Sequence, residues 1–385
     1  MKALDAMRNR RQWLLGASGL LLLPALAQTP AHIPGSALTQ RPLRFPRDHG
    51  THNETRTEWW YLTGHAQNAA GRTFGFQVTF FRSRVNAAQP LQSRLAAKHL
   101  LFAHAAITDL QGGALLHDQR IARWNGAQPT QPAQPTERTR GVFAREDDLQ
   151  VVLRDWFIQR DGSGTYRTEV VGDEIGIAIT ASPTQAILLQ GDQGFSRKGP
   201  DPSQASFYIT HPQLAVQGTL TLRGERFTVT GRAWLDHEWS EAILHPEAVG
   251  WDWIGMNLDN GDSLTAFELR RANGSALWAG GSYRTQAAST DMLGARSFAS
   301  NEVRFTPQRY WTSQLTNARY PVEWQVDTPA GRFTARALLD AQELDSRSST
   351  GTVYWEGLSD LLDAQGQRLG RGYLEMTGYA QRLVL

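Results

Sequence analysis

From Trp59 onward, apolar and polar residues alternate over short runs broken by Gly, Asn, Asp and Pro, and no long segment carries a helical period. A two-residue period puts successive side chains on opposite faces, so the pattern predicts a succession of half-buried β-strands. Residues 60–66 and 73–81 read as a hairpin turning at 68–71, and residues 103–108 and 114–120 as a second across Gln111-Gly112-Gly113. Further strands are expected at 149–157, 166–171, 175–180, 186–190, 207–210, 214–222 and 227–239. A tract at 125–140 with Pro129, Pro132 and Pro135, and a stretch at 191–206 with Gly199, Pro200 and Pro202, read as irregular surface segments.

A new unit begins near Ser240. Residues 250–258 and 263–269 form a hairpin around Asp259-Asn260-Gly261 that echoes the first one: Trp60, Gly64 and Phe76 fall on Trp251, Gly255 and Phe267 at one offset, 251 − 60 = 191. The shared strand-turn-strand setting predicts two copies of one fold. With a closing hairpin from 351–362 to 371–385, the expectation is an all-β protein of two tandem, lipocalin-sized antiparallel β-barrels, residues 44–239 and 240–385, behind a leader loop at 28–43.

The 385 residues, 41% of them hydrophobic, suffice for a large core. The formal charge is +2, but residues 1–27 hold Lys2, Arg8, Arg10 and Arg11 against Asp5, a net +3, so the remainder carries 2 − 3 = −1. That balance gives no electrostatic footprint for nucleic acid. The charged residues 8–11, the apolar run 13–23 and Pro24-Ala25-Leu26-Ala27 predict an export signal cut near Ala27-Gln28, and Arg10-Arg11 fits a twin-arginine signal. The expected location is the periplasm or the medium. Having no cysteine, the chain makes no disulfide, thiolate nucleophile or Cys-ligated zinc site.

Residues 45–64 concentrate acids, histidines, arginines and the aromatic run Trp59-Trp60-Tyr61. Together with Phe74-Gly75-Phe76-Gln77-Val78-Thr79-Phe80-Phe81, Phe102-Ala103-His104, Gly231-Arg232-Ala233-Trp234-Leu235-Asp236-His237-Glu238-Trp239-Ser240, Tyr354-Trp355-Glu356-Gly357 and Gly372-Tyr373-Leu374-Glu375-Met376-Thr377-Gly378-Tyr379, it resembles the carotenoid 1,2-hydratase / AttH lipocalin-like family, a group often labelled predicted secreted hydrolases. The resemblance covers nearly all of the chain after the signal. It implies two lipocalin-like barrels and, for the hydratase branch, water addition across an isolated double bond of an acyclic carotenoid.

Hydrating an unactivated alkene needs a strong general acid, electron-rich walls around a cation, and a placed water. A carboxylic acid in an apolar pocket stays protonated and can serve. Asp48, Glu58, Asp236, Glu238, Asp252, Glu268 and Glu375 are the candidates, with Asp236, His237, Glu58, Asp48 and His49 the expected catalytic set. Alternation puts Trp234, Asp236 and Glu238 on one face and Leu235, His237 and Trp239 on the other, the second face being read as the ligand wall. Glu58 shares a face with Trp60 and Leu62, while Trp59 faces with Tyr61. Trp59, Trp60, Tyr61, Trp239, Trp251 and Trp253 are the expected ligand contacts, and Glu58 or His49 is expected to lie near His237. Against these stand structural readings: a Glu58 ion pair with Arg56, a core histidine at His104, a solvated loop charge at Lys198 and a hydrogen-bonded seam at Glu375.

His49-x-x-His52 with His237 lacks the second histidine of a zincin helix, so no metal or other cofactor is expected. No G-x-S-x-G elbow, P-loop or dinucleotide fingerprint is present, which leaves a hydrolase without a nucleophile motif. The reading is an exported protein binding a long apolar isoprenoid- or lipid-like molecule and acting on its double bond. The alternatives are a carrier working with a membrane transporter, and a secreted hydrolase.

Overall fold

The computed structural model of the chain describes residues 38–129 and 141–383. The expected export signal at 1–27, the leader up to residue 37 and the tract 130–140 lie outside the described residues. The described residues fall within one compact unit and are almost entirely β.

The first sheet holds β1 (Thr57–Asn68), β2 (Thr73–Arg84), β3 (His99–Asp109), β4 (Ala114–Trp124), β5 (Gly141–Ala144), β6 (Gln150–Arg154), β7 (Trp156–Arg160), β8 (Tyr166–Val171), β9 (Ile175–Ser182), β10 (Leu188–Leu189), β11 (Phe195–Arg197), β12 (Ala205–Leu222) and β13 (Glu225–Ser240). Its order is β4-β3-β2-β1-β13-β12-β9-β8-β7-β6-β5, with β10 and β11 also on β12. The second holds β14 (Ala248–Leu258), β15 (Ser263–Arg271), β16 (Ala276–Arg284), β17 (Arg296–Phe298), β18 (Arg304–Thr312), β19 (Arg319–Thr328), β20 (Gly331–Ala337), β21 (Glu343–Ser346), β22 (Thr352–Leu362) and β23 (Arg368–Met376). Its order is β17-β16-β15-β14-β23-β22-β20-β19-β18, with β21 on β22. In both sheets the first strand pairs with the last, which curls the sheet toward a closed barrel of the lipocalin type. The fold class is therefore the tandem β-barrel architecture expected from the alternation.

Three expected strands change. Residues 149–157 split into β6 and β7, because Arg154 takes a left-handed φ of 65° and turns the chain so that Leu153 pairs with Trp156. Residues 207–210 and 214–222 fuse into β12 through an irregularity between His211 and Leu214, where Gln213 has φ 56°. Strands β16 to β21 fill the region between residues 269 and 351, for which the sequence predicts no strand.

The two hairpin turns set the repeat. The Asn68 amide bonds the Arg72 carbonyl and Gly71 bonds back to Asn68; likewise Leu258 bonds Asp262 and Gly261 bonds Leu258. Gly71 and Gly261 both sit at left-handed φ, 83° and 89°, which glycine adopts without strain. The turns therefore superpose at 258 − 68 = 190, one less than the offset of the three matched residues. A shift of one reverses the face of a strand: Phe76 lies inside the first barrel, whereas Phe267 lies on the outside of the second. The duplication holds, but those matches pair opposite faces.

Each barrel interior is filled by its own core. Trp60, Leu62, Phe76, Val78 and Leu235 belong to the first, and Ile254, Met256, Leu264, Trp355 and Leu374 to the second. A third cluster, with Tyr61, Trp234, Trp253, Leu358 and Tyr373, joins the outer face of one sheet to the outer face of the other.

Candidate functional site

Two groups of titratable residues flank β1, one on each face. Inside the first barrel, Glu58 is the hub of a closed network. Its Oε1 accepts from His52 Nδ1 (2.8 Å) and His237 Nε2 (2.9 Å), and its Oε2 from Arg82 Nε (2.9 Å) and the Thr51 hydroxyl (2.8 Å). His52 Nε2 bonds Asp48 (3.0 Å), which Arg41 clasps with both guanidinium nitrogens (2.8 and 2.7 Å). The imidazole of His52 stacks on Trp239 with centroids 3.7 Å apart, and His237 on Trp60 at 4.8 Å. Burial alone would raise the carboxyl of Glu58, but Arg82 and His52 outweigh it and hold it well below the usual range. Burial is likewise outweighed at Asp48, lowered by Arg41 and His52, and at His52, raised by the carboxylates of Glu58 and Asp48. His52, Glu58 and His237 bring donor atoms within 4.8 Å of one another, a spacing a metal could use. Both oxygens of Glu58 and both nitrogens of His52 are already matched by protein partners, so the donor set fits an ion-pair network rather than a metal centre.

On the opposite face of β1, a cavity of about 320 Å³ lies between the two barrels. Strand register builds it in rows. Across the first sheet run His104, Thr79, Tyr61 and Asp236, and beside them Phe102, Phe81, Trp59, Glu238 and Tyr208. Across the second run Glu356, Glu375, Trp253 and Phe267. His104, Thr79, Tyr61, Asp236, Glu238, Tyr208, Glu356, Trp253 and Phe267 are buried, whereas Trp59, Phe81, Phe102 and Glu375 are half-buried.

The carboxyl groups of this cavity behave unlike those inside the barrel. Burial raises Asp236 to about 7, against the hydrogen bonds that Thr210 (2.6 Å) and Tyr208 (2.8 Å) donate to it. Glu375 rises to about 8 through burial, restrained by a 3.1 Å bond from Trp251 Nε1 and pushed further by Asp236 and Glu238. Glu356 lies directly opposite Glu375 in the β22–β23 ladder, and burial and that neighbour raise it well above the usual carboxyl range. Two like carboxyl groups at such a pair resist joint ionisation. Glu238 instead takes an ion pair from Lys198 Nζ at 2.9 Å, and that ammonium sits over the rings of Phe267 (4.3 Å) and Tyr208 (4.6 Å). Tyr61 Oη and Glu356 Oε1, both buried, have no aligned hydrogen-bond partner among the described residues.

The structure separates the expected site residues. Trp59, Tyr61, Trp251, Trp253 and Asp236 line the cavity, and Glu58 borders it while its head group joins the network behind. Glu58 and His237 do lie in contact, as expected. The face of β13 read as a ligand wall turns away from this cavity: Leu235, His237 and Trp239 point inward, Trp239 packs on Phe207 and Ile209, and Asp236 and Glu238 of the opposite face line the cavity instead. Trp60 is core, and its Nε1 bonds the carbonyl of His49, whose ring lies beside Phe45. Asp48 and His49 thus brace the barrel rather than the cavity. Glu58 pairs with Arg82, not Arg56. Lys198, read as a solvated charge, is 5% exposed, because the irregular segment after β11 folds back against the cavity. His104 reaches across to Tyr354 (2.7 Å) and Ser349 (2.8 Å) of the second barrel. Glu356 is absent from the acids the sequence proposes, whereas Glu375 is among them, with a hydrogen-bonded seam as its structural alternative. The repeated Tyr-x-Glu at Tyr354–Glu356 and Tyr373–Glu375 was the available signal, since it puts both acids on aromatic faces.

The sequence profile of the AttH-like family matches residues 36–379. Among solved structures, a protein assigned as AttH from Nitrosomonas europaea is 41% identical, with 89% of this chain and 99% of that one covered at a TM-score of 0.77. Kievitone hydratase from Nectria haematococca shares the fold at 14% identity and a TM-score of 0.64, over 88% and 94% of the two chains. No curated protein matches the chain. The profile spans most of the sequence and the 41% identical structure nearly all of its own length, and on those grounds the chain belongs to the AttH-like family.

Proposed function

We propose that the protein binds a small, largely apolar molecule in the cavity between its barrels and adds water to a carbon–carbon double bond of that molecule. The observation that carries this is a set of buried carboxyl groups in an aromatic chamber, with Asp236 and Glu375 raised to about 7 and 8, so that a substantial fraction stays protonated near neutral pH. Asp236 transfers its proton to one alkene carbon, and the rings of Trp59 and Trp253 stabilise the cation left on the other. Water adds its oxygen to that cation and returns a proton to the Asp236 carboxylate, so the acid is regenerated. Tyr61 Oη and the Glu356 carboxyl, buried neighbours that interact through their side chains, offer polar atoms that suit a bound water. The kinship of fold with kievitone hydratase agrees with a hydration.

The volume is at the lower end of the roughly 300–1,000 Å³ typical of small-molecule sites. It suits a compact ligand, or one end of a long isoprenoid. The Lys198 ammonium favours a ligand oxygen at the Glu238 end, since a pure hydrocarbon leaves its remaining donors unsatisfied. Hydrolysis is the weaker reading: Ser349 and His104 are hydrogen-bonded at the cavity mouth, but burial lowers His104 to about 3, which makes it a poor base. A carrier without turnover shares the cavity and differs only in outcome.

The test is incubation with short isoprenoid alkenes in ¹⁸O-labelled water. A product heavier by one labelled water is expected, with Asp236→Asn at least about 100-fold slower while ligand binding is kept. Tight binding without any water addition would establish the carrier reading instead.

A further inference from the structure

The cavity opens beside the connection between β2 and β3. Ser83 pairs with Leu100, and both line the cavity; two residues further out, the Val85 amide bonds the Lys98 carbonyl and closes the neck of a loop. The loop carries two of the chain's most exposed apolar side chains, Leu91 at 51% and Leu95 at 82%. Next to it on β4, Ile121 pairs with Phe102 and Arg123 with Leu100, so Ile121 and Arg123 share the face that carries the cavity wall. Ile121 both lines the cavity and is 37% exposed. Apolar side chains therefore extend from Phe102 and Leu100 in the cavity to Ile121 at its exposed edge, and Leu91 and Leu95 stand exposed on the adjoining loop.

Its charge has one sign. Residues 84–98 contain Arg84, Arg94 and Lys98 and no acid. Arg94, Lys98 and Arg123 form no ion pair among the described residues. Exposed leucines flanked by unpaired cations suit the boundary between anionic headgroups and acyl chains, where the apolar tips are buried and the cations meet phosphate.

We propose that this rim docks on the surface of an anionic lipid bilayer and draws the ligand from it into the cavity without passage through water. The inference rests on the reading that the cavity takes an apolar molecule. It adds where that molecule comes from.

The experiment is flotation of the full chain with vesicles of phosphatidylglycerol and phosphatidylcholine in equal parts, against phosphatidylcholine alone. Binding to the anionic vesicles, weakening as salt is added, is expected. Each cation near the surface contributes roughly fivefold, so Arg94→Glu with Lys98→Glu should cost about 25-fold or more, and Leu91→Glu with Leu95→Glu should abolish binding. Circular dichroism of the variants checks that the fold is kept. Absence of vesicle binding overturns the proposal, as does binding that both double variants retain. Sedimentation in which the leucine variant changes only the oligomeric state also overturns it, by assigning the rim to a second copy of the chain. Hydration of a water-soluble alkene, measured on the same variants, keeps the two readings apart: it should be unchanged by loss of docking, and its failure in the parent protein leaves the vesicle result standing.

Discussion

Asp236 and Glu58 are both fully buried carboxyl groups from adjacent strands, yet they titrate in opposite directions because of what each faces. Glu58 meets a guanidinium and two imidazoles, whereas Asp236 meets two hydroxyls and aromatic rings. Hydroxyl donors stabilise the ionised form only modestly, and Tyr208→Phe removes one of them. The loss should raise Asp236 by about one pH unit or more, shifting the alkaline limb of the hydration rate upward from near 7; a limb that stays in place would assign it to another group. The parity separating Asp236 from His237 was legible in the alternation of residues 234–239. Which parity faces the ligand was not, because both faces mix tryptophan with charge and only packing against the second barrel distinguishes them. Lys198 was illegible for a related reason: glycine and proline around it mark an irregular segment but carry no information on where that segment folds.

At the scale of strands, register decides which groups must share a space. The β22–β23 ladder sets Glu356 against Glu375, an arrangement an ordinary sheet avoids. Glu375→Gln retains an acceptor for Trp251 and removes one potential charge. Its stabilising effect should therefore be slight near pH 4, where the carboxyl is protonated in folded and unfolded chain alike, grow once the unfolded chain ionises above about 4.5, and be complete above about pH 8 at about 1 kcal/mol or more. Urea unfolding at the two pH values measures it, and an equal effect at both would mean the pair is not strained by charge. The hairpins around Gly71 and Gly261 were readable from turn chemistry and alternation. The offset between them was readable only from the turns, since chance identities such as Trp60 with Trp251 weigh the same whichever face they occupy.

The whole molecule combines carboxyl groups shifted both ways, and the signs fix its pH response. Asp48 and Glu58, lowered in the folded state, contribute stability that is present above their unfolded values and lost on acidification. Asp236 and Glu375, raised to about 7 and 8, contribute stability that is full below about pH 4 and lost as pH rises through 7 to 8. Asp236→Asn with Glu375→Gln should therefore gain on the parent in thermal midpoint as pH rises from about 4 to 8 and leave the acid side unchanged; a gain that does not grow with pH would contradict the assignment. The duplication has a final consequence. By the turn offset Thr63 corresponds to Trp253, and their ladder partners are Trp234 and Glu375. Asp236, opposite Tyr61, corresponds likewise to Thr377, whose amide bonds Trp251. The repeats therefore donate their acids from non-equivalent positions. A chamber framed by two like halves would accept a guest in either sense; this one has a head and a tail, and any guest would be held in the one direction its unequal halves allow.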